Sequence, residues 1–370
     1  MNIRPYLVFL ALSFAACSSC TKPGSKTDPD PEPEPAPVVK EYAKGADLGW
    51  LTEMEAKNFK FYNASGQERE CTALMKELGC NAIRIRVWVD PASGPAGNGY
   101  CAKADVLEKA KRAKSLGMDV MIDFHYSDWW ADPGKQILPK AWENMNQVQI
   151  SDALAAHTKD VLSALKAEGV PVKWVQVGNE VTNGMLCHKG YDKMTDAPAA
   201  ISGKVAGSSC QNFVKYFNSG AAAVKAVYPE ALVILHIDNA WKTETLNWFF
   251  KLVTDNGAKY DMMGLSLYPS YWEAGGYPAW ETKVKQAVNN FRTLNSSFAK
   301  PIMLVEFGMP ASEPQKSKDA LQYVIANTKD KDYFKGVFLW EPESEKSRNG
   351  YDYGAFKDGK PTVAMDSFKN

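Results

Sequence analysis

"VKWVQVGNEVTN" (residues 172–183) runs from a short apolar segment straight into an amide and an acid, Asn179 and Glu180. Val172, Trp174, Val175 and Val177 have the length and the β-branched, aromatic character of a buried strand. A carboxyl at the end of such a strand loses its hydration, a cost that only hydrogen bonds or a use can offset. The pattern predicts a strand that delivers polar side chains to one edge of a sheet.

Seven more runs read the same way: "GADLGWL" (45–51), "NAIRIRVWV" (81–89), "MDVMIDFHY" (118–126), "ALVILHID" (231–238), "YDMMGLSLY" (260–268), "PIMLVEFG" (301–308) and "GVFLWEP" (336–342). Helix-patterned segments separate them, among them Lys103–Leu116, Gln147–Ala167, Cys210–Val227, Glu244–Asp255, Glu281–Leu294 and Ser317–Thr328. Strands alternating with helices imply a parallel sheet, and eight such units predict an α/β fold, a single (β/α)8 barrel over residues 43–370. No glycine-rich phosphate loop follows any strand, which argues against an open doubly wound sheet and against a nucleotide cofactor.

The composition narrows the partners. Lys plus Arg equals Asp plus Glu at 43 each, so no net field draws the chain toward nucleic acid. Eleven Trp residues supply either a large core or flat faces for a ligand. Ahead of the body, Arg4 precedes an apolar run, Tyr6–Ala16, that ends in Phe14-Ala15-Ala16-Cys17. Residues 1–17 are therefore expected to be a lipoprotein export signal with Cys17 acylated; Cys20 and an ordinary cleaved signal are the alternatives. Residues 18–42, with "DPDPEPEPAP" at 28–37, are expected to be an extended tether. Such a chain would be anchored by its lipid at a bacterial outer membrane, exposed at the cell surface. Five further Cys remain, of which Cys187 and Cys210 are a candidate bridge, and no spacing resembles a zinc site.

Polar residues gather late in the runs: Arg84 and Arg86, Asp123 and His125, Asn179 and Glu180, His236 and Asp238, Tyr268, Glu306, and Trp340 with Glu341. In a parallel barrel all these ends open on one mouth. Glu180 and Glu306 are the acids such a mouth needs to cut a glycosidic bond, one protonating the leaving oxygen while the other attacks the anomeric carbon or activates water. Arg84 or Arg86, with the Tyr268 hydroxyl, is expected to hold Glu306 ionised; burial and a nearby negative charge are expected to keep Glu180 protonated. Trp130, Trp241 and Trp340 offer indole faces to a sugar ring, and His125, Asn179 and His236 offer directional hydrogen bonds. His157 and His188 lie away from strand ends and take no role.

The Asn-Glu closing "WVQVGNE" and the Glu closing "IMLVEFG" resemble the clan of retaining (β/α)8 glycoside hydrolases. "IRIRVWVDP" (83–91), "HYSDWWADPGKQ" (125–136), "HIDNAW" (236–241), "LYPSYW" (267–272) and "FLWEP" (338–342) resemble glycoside hydrolase family 53, the endo-β-1,4-galactanases, from about Gly45 to Gly354. The resemblance implies Glu180 as acid/base, Glu306 as nucleophile and Asn179 on the 2-hydroxyl of the attacked sugar. It implies Arg84 as the clan's second-strand arginine, Tyr268 as the tyrosine beside the nucleophile and Trp340 as the floor under the cleaved sugar. His125, Asp128, Trp130, His236 and Trp241 would line galactose subsites. Some bacterial members hold a structural calcium between the seventh and eighth loops, but "GMPASEPQKSK" (308–318) carries no dense run of acidic ligands, so neither metal nor cofactor is expected. The expected substrate is β-1,4-galactan, cut with retention by carboxyls about 5–5.5 Å apart. A related endo-glycanase acting on mannan, cellulose or xylan, or a glycan-binding lipoprotein without catalysis, remain the alternatives, and a monomer is the default expectation.

Overall fold

Eight parallel strands close into a barrel in the spatial order Ala43–Asp47, Phe334–Leu339, Ile302–Phe307, Met262–Leu267, Leu232–Ile237, Val172–Val177, Asp119–Phe124 and Ala82–Val87, the last returning to the first. The structure is a computed structural model and describes residues 42–206, 210–271 and 275–369. The strands are β1 (Ala43–Asp47), β2 (Ala82–Val87), β3 (Asp119–Phe124), β4 (Val172–Val177), β5 (Leu232–Ile237), β6 (Met262–Leu267), β7 (Ile302–Phe307) and β8 (Phe334–Leu339). Helices α1 (Cys71–Glu77), α2 (Lys103–Ser115), α3 (Gln147–Ala167), α4 (Gln211–Val227), α5 (Thr243–Asp255), α6 (Trp280–Phe298) and α7 (Pro314–Thr328) make the crossovers. The barrel is the expected one. Helix α1 and a short helix at Leu51–Ala56 escaped the sequence pattern, being too brief to show a period. The export signal, Cys17 and the tether up to residue 41 lie outside the described residues. Among the described residues no helix is long and apolar enough to cross a membrane.

Local chemistry sets the element ends. Helix α3 begins with reciprocal capping, Asn146 Oδ1 accepting from the Gln149 amide and Gln149 Oε1 from the Asn146 amide. Along the strands, alternation sends one set of side chains outward under the helices and the other into the barrel. The lower interior is apolar: Ala43, Ala82, Met121, Trp174, Ile234, Met262, Met303, Val305 and Phe338. Gly45 makes room for it, because a Cβ there would lie 2.0 Å from the Phe338 ring. Two residues further along β2 to β5 the interior turns polar, with Ala82 giving way to Arg84, Met121 to Asp123, Trp174 to Gln176 and Ile234 to His236, all fully or almost fully buried. The helices pack outside on a second, larger apolar layer.

Candidate active site

The polar ends open on a cleft of about 680 Å³ lined by Trp50, His125, Trp130, Asn179, Glu180, Asp238, Ser266, Tyr268, Glu306 and Trp340, among others. Glu180 and Glu306, expected to meet across one crevice, both line it. Glu306 reaches it through a slip in pairing: Leu265 pairs with Leu304 but Ser266 pairs with Glu306, so β7 carries one extra residue there. Strict alternation after Met303 and Val305 would turn Glu306 toward the helices; the slip turns it inward. Glu180 follows Gly178 (φ 89°) and itself sits at φ 45°. Tyr126, Asn239 and Glu341 adopt the same left-handed conformation at the ends of β3, β5 and β8, with φ of 50°, 54° and 44°. Each such residue costs about 1–3 kcal/mol and persists only where its surroundings over-determine it, and strain of this kind collects at functional sites.

Arg84 is the hub of the floor. Its guanidinium meets Asp47, Asp123 at 2.9 Å, Glu306 at 2.8 Å, Asn179 Oδ1 at 3.0 Å and Gln176 Oε1 at 2.7 Å. Glu306 also accepts a hydrogen bond from the Tyr268 hydroxyl at 2.8 Å. Of the two candidates to hold Glu306, Arg84 does so; Arg86 turns instead to Glu341 and lies between the indoles of Trp50 and Trp130, 4.9 and 4.3 Å from their centroids. Burial pushes the Glu306 carboxyl up to about 7, against the pull of Arg84 and Tyr268. The Glu180 carboxyl is raised well above the carboxylate range, first by burial, then by the Glu306 charge and by Asp238. The two acids are thus unequal: Glu306 gives up its proton first and Glu180 keeps the one that remains. Asp123 is the contrast, its burial outweighed by Arg84 and His125, which hold it at about 2.

Asn179 is pinned by both ends of its amide, accepting from Arg84 and donating to the Ala131 carbonyl at 2.8 Å. His125 takes the Ala131 amide on Nδ1 at 3.0 Å, so its Nε2–H donates to Asp123 at 3.1 Å. Trp130 and Trp340 stand 5.9 Å apart and Trp50 completes a triangle with them, 5.3 and 5.2 Å from each, while Tyr351 packs on Trp340 at 4.6 Å. The result is a continuous aromatic wall.

Three expected lining residues stand elsewhere. Asp128 is buried and outside the residues lining this cleft, accepting the backbone N–H groups of Asp90 (3.0 Å) and Lys140 (2.8 Å), and so braces two loops. His236 has no exposed surface; its nitrogens serve Gln176, the Glu180 amide and Ser266. Trp241 packs against Tyr277 at 5.9 Å, outside the residues lining this cleft. Conversely, Trp50, Ser266, Tyr271 and Tyr351 line the cleft without having been singled out. The available signal was modest: an aromatic or hydroxyl residue within a few places of a strand's end, Trp50 beyond β1 in "LGWL" and Ser266 and Tyr271 either side of the end of β6 in "SLYPSY". Cys187 and Cys210 are free thiols, so the candidate bridge is not formed. Among the described residues no group of three or more His, Cys, Asp or Glu is placed to hold a metal ion.

Comparison with known proteins agrees with this geometry. A family model for Glycosyl hydrolase family 53 matches residues 43–334. The endo-β-1,4-galactanase of Bacillus subtilis is 30% identical over 330 residues, covering 82% of this chain and 70% of that one. A solved structure of fungal β-1,4-galactanases superposes with a TM-score of 0.75 at 25% identity, over 89% of this chain and 99% of the other. A family 53 catalytic domain from Ignisphaera aggregans has the same fold, with a TM-score of 0.75 at 24% identity over 91% and 98% of the two chains.

Proposed function

The chain belongs to glycosyl hydrolase family 53, and from that premise we propose that its cleft hydrolyses β-1,4-galactosidic bonds within galactan and arabinogalactan, with retention. The observation that carries the assignment is the inequality of the two acids: Glu306 between a guanidinium and a phenol, Glu180 facing the same space and raised by burial and by the charges of Glu306 and Asp238. A carboxylate and a carboxylic acid across one bond are what double displacement needs.

In this reading Glu180 protonates the glycosidic oxygen as the Glu306 carboxylate attacks the anomeric carbon. The bond to the leaving sugar breaks and an ester to Glu306 forms. Glu180, now ionised, takes a proton from water, and the resulting hydroxide equivalent displaces Glu306 and leaves the β anomer. Arg84 and Tyr268 hold Glu306 in place for both steps, and Asn179, locked by Arg84 and Ala131, presents its amide to the attacked sugar's 2-hydroxyl. Trp340, Trp130 and Trp50 supply faces for the C–H side of the galactose rings. His125 is positioned by Asp123 and the Ala131 amide to bond a sugar hydroxyl only by giving up one of those partners, and its main part in the reading is to brace the floor. No cofactor takes part.

In this reading the enzyme acts as a monomer, exported by residues 1–17 and anchored through Cys17 at a bacterial outer membrane, where it meets polymers outside the cell. Digestion of pectic galactan, with sizing of the products and proton NMR of the first of them, tests the reading: galacto-oligosaccharides appearing as the β anomer are expected. Activity only on mannan, cellulose or xylan would move the enzyme to another substrate, and binding without turnover would make it a glycan receptor.

A further inference from the structure

Behind Glu180 runs a chain of hydrogen bonds whose directions are all determined. Gln176 accepts from Arg84 Nε on its oxygen, at 2.7 Å, so its amide nitrogen is the donor toward Asp123 at 3.1 Å and toward His236 Nδ1 at 2.8 Å. The Glu180 backbone N–H also points at His236 Nδ1, at 3.3 Å. With two donors on Nδ1, that nitrogen carries no proton, and the neutral ring bears its hydrogen on Nε2. Nε2 is 2.8 Å from Ser266 Oγ and therefore donates to it. The Ser266 hydroxyl, already accepting, has one proton left to place, and Ser266 lines the same cleft as Glu180, whose carboxyl it pulls down against the effect of burial.

We propose that Ser266 is a positioning residue for the acid/base, its hydroxyl proton aimed at the Glu180 carboxyl by His236 held in the Nε2–H form. The inference rests on the reading of Glu180 as acid/base. Ser266 stands 1% exposed at the pairing slip between β6 and β7, so the irregularity that brings Glu306 inward also sets Ser266 beside it. A hydroxyl that can only donate favours the ionised form of Glu180, the form created as the leaving oxygen takes its proton and required when water is deprotonated. It works against the surroundings. Glu306 from β7, Asp238 from the end of β5 and Asp132 from the β3 loop all disfavour a second negative charge. Tyr268 and Tyr271 also face the site; Lys135 is paired to Asp132 at 3.0 Å, Lys242 acts on Asp238, and Arg84 is engaged by Glu306. Ser266 is thus the neutral donor that keeps Glu180 from becoming too weak an acid. His236 stays uncharged because burial and the nearby Arg84 charge hold it far below the usual imidazole range, so the relay keeps its direction across the working pH.

The test compares wild type with Ser266→Ala by the pH dependence of kcat/KM on galactan and by a 13C NMR titration of the Glu180 carboxyl without substrate. Loss of a hydrogen bond to a charged group is expected to move both the basic limb and the titration upward by about one pH unit, with a several-fold fall in kcat. Ser266→Thr, which keeps the hydroxyl, is expected to restore both. If Ser266→Ala fails to fold, Ser266→Cys, similar in shape but a poor donor, carries the same comparison. A lower kcat with an unmoved basic limb and an unmoved titration would overturn the proposal and leave Ser266 a packing residue. The titration needs no substrate, so a wild type inactive on galactan would refute the galactanase reading while leaving this result to be judged by itself.

Discussion

Glu180 and Glu306 face an open cleft, whereas Glu341 and Glu343, just past the end of β8, are sealed with no exposed surface. Burial raises all four carboxyls. In the sealed pair, Glu341 takes the Arg86 guanidinium and the Trp50 amide, the latter at 3.1 Å, while no donor of good geometry reaches Glu343 among the described residues. Burial and then the charge of Glu341 push Glu343 well above the carboxylate range, so it stays protonated. The open pair has the same ingredients, one acid on an arginine and one without, but with a cleft between them and a substrate-sized space in which to pass a proton. A raised carboxyl is therefore no mark of catalysis by itself; what separates the pairs is access. The sealed pair holds Trp50, and with it the aromatic wall, in place.

Four measurements would break or sharpen that contrast. The largest effect is expected for Glu306→Ala, which should lose roughly 10⁴-fold or more in kcat on galactan. Its melting temperature should hold, because Arg84 retains Asp47 and Asp123; a variant that still turns over near the normal rate would end the nucleophile assignment. Next comes Glu180→Ala, expected to lose about 10²–10⁴-fold on galactan but far less on an aryl galactobioside whose leaving group needs no proton. The sign of the pH dependence follows from the two raised carboxyls: activity falls as acid protonates Glu306 and again as base removes the Glu180 proton. Glu180→Ala should therefore erase the basic limb, and added azide should yield a β-galactosyl azide; a retained basic limb would place that proton elsewhere.

Trp340→Ala should lower kcat/KM by about tenfold without changing the pH limbs, read by steady-state kinetics across pH; shifted limbs would mean that Trp340 sets charge as well as shape. Smallest in activity is Glu343→Gln, expected within about twofold of wild type because the residue never meets substrate. Its signature is in stability. A carboxyl whose folded value is raised contributes full stability below its unfolded value near pH 4.3 and loses it as pH rises through the folded one. Glu343→Gln should thus raise the melting midpoint by about 2–4 °C at pH 8 and hardly at pH 4. Equal midpoints at pH 8 would show that Glu343 is ionised and paired in solution.

Much of the site was legible in the sequence because it sits where strands end. Glu180 after "WVQVGN" and Glu306 inside "IMLVEFG" needed only the strand pattern to be picked out, and Gln147–Ala167 was read to the residue. Asp128 and His236 show the limit. Both have the residue types of a sugar-binding site, and both spend their polar atoms on the protein, Asp128 on two loop amides and His236 on the relay to Ser266. Residue type and strand position do not say whether a polar atom is already partnered. Trp50 and Tyr351, close to β1 and 12 residues past the end of β8 (351 − 339), join the wall only because the barrel closes β1 onto β8.

By itself, then, the sequence determined the eight-fold alternation, the polarity gradient along each strand and the two acids, since periodicity and burial preference are properties of a few neighbouring residues. The tertiary structure decided which arginine holds Glu306 and how Glu306 comes to face inward. Arg84 and Arg86 are two residues apart on one strand with the same chemistry, and the slip between β6 and β7 leaves no trace in composition. Those choices turn on ångström separations between groups far apart in the chain, and charge interactions in a buried site change steeply with such distances.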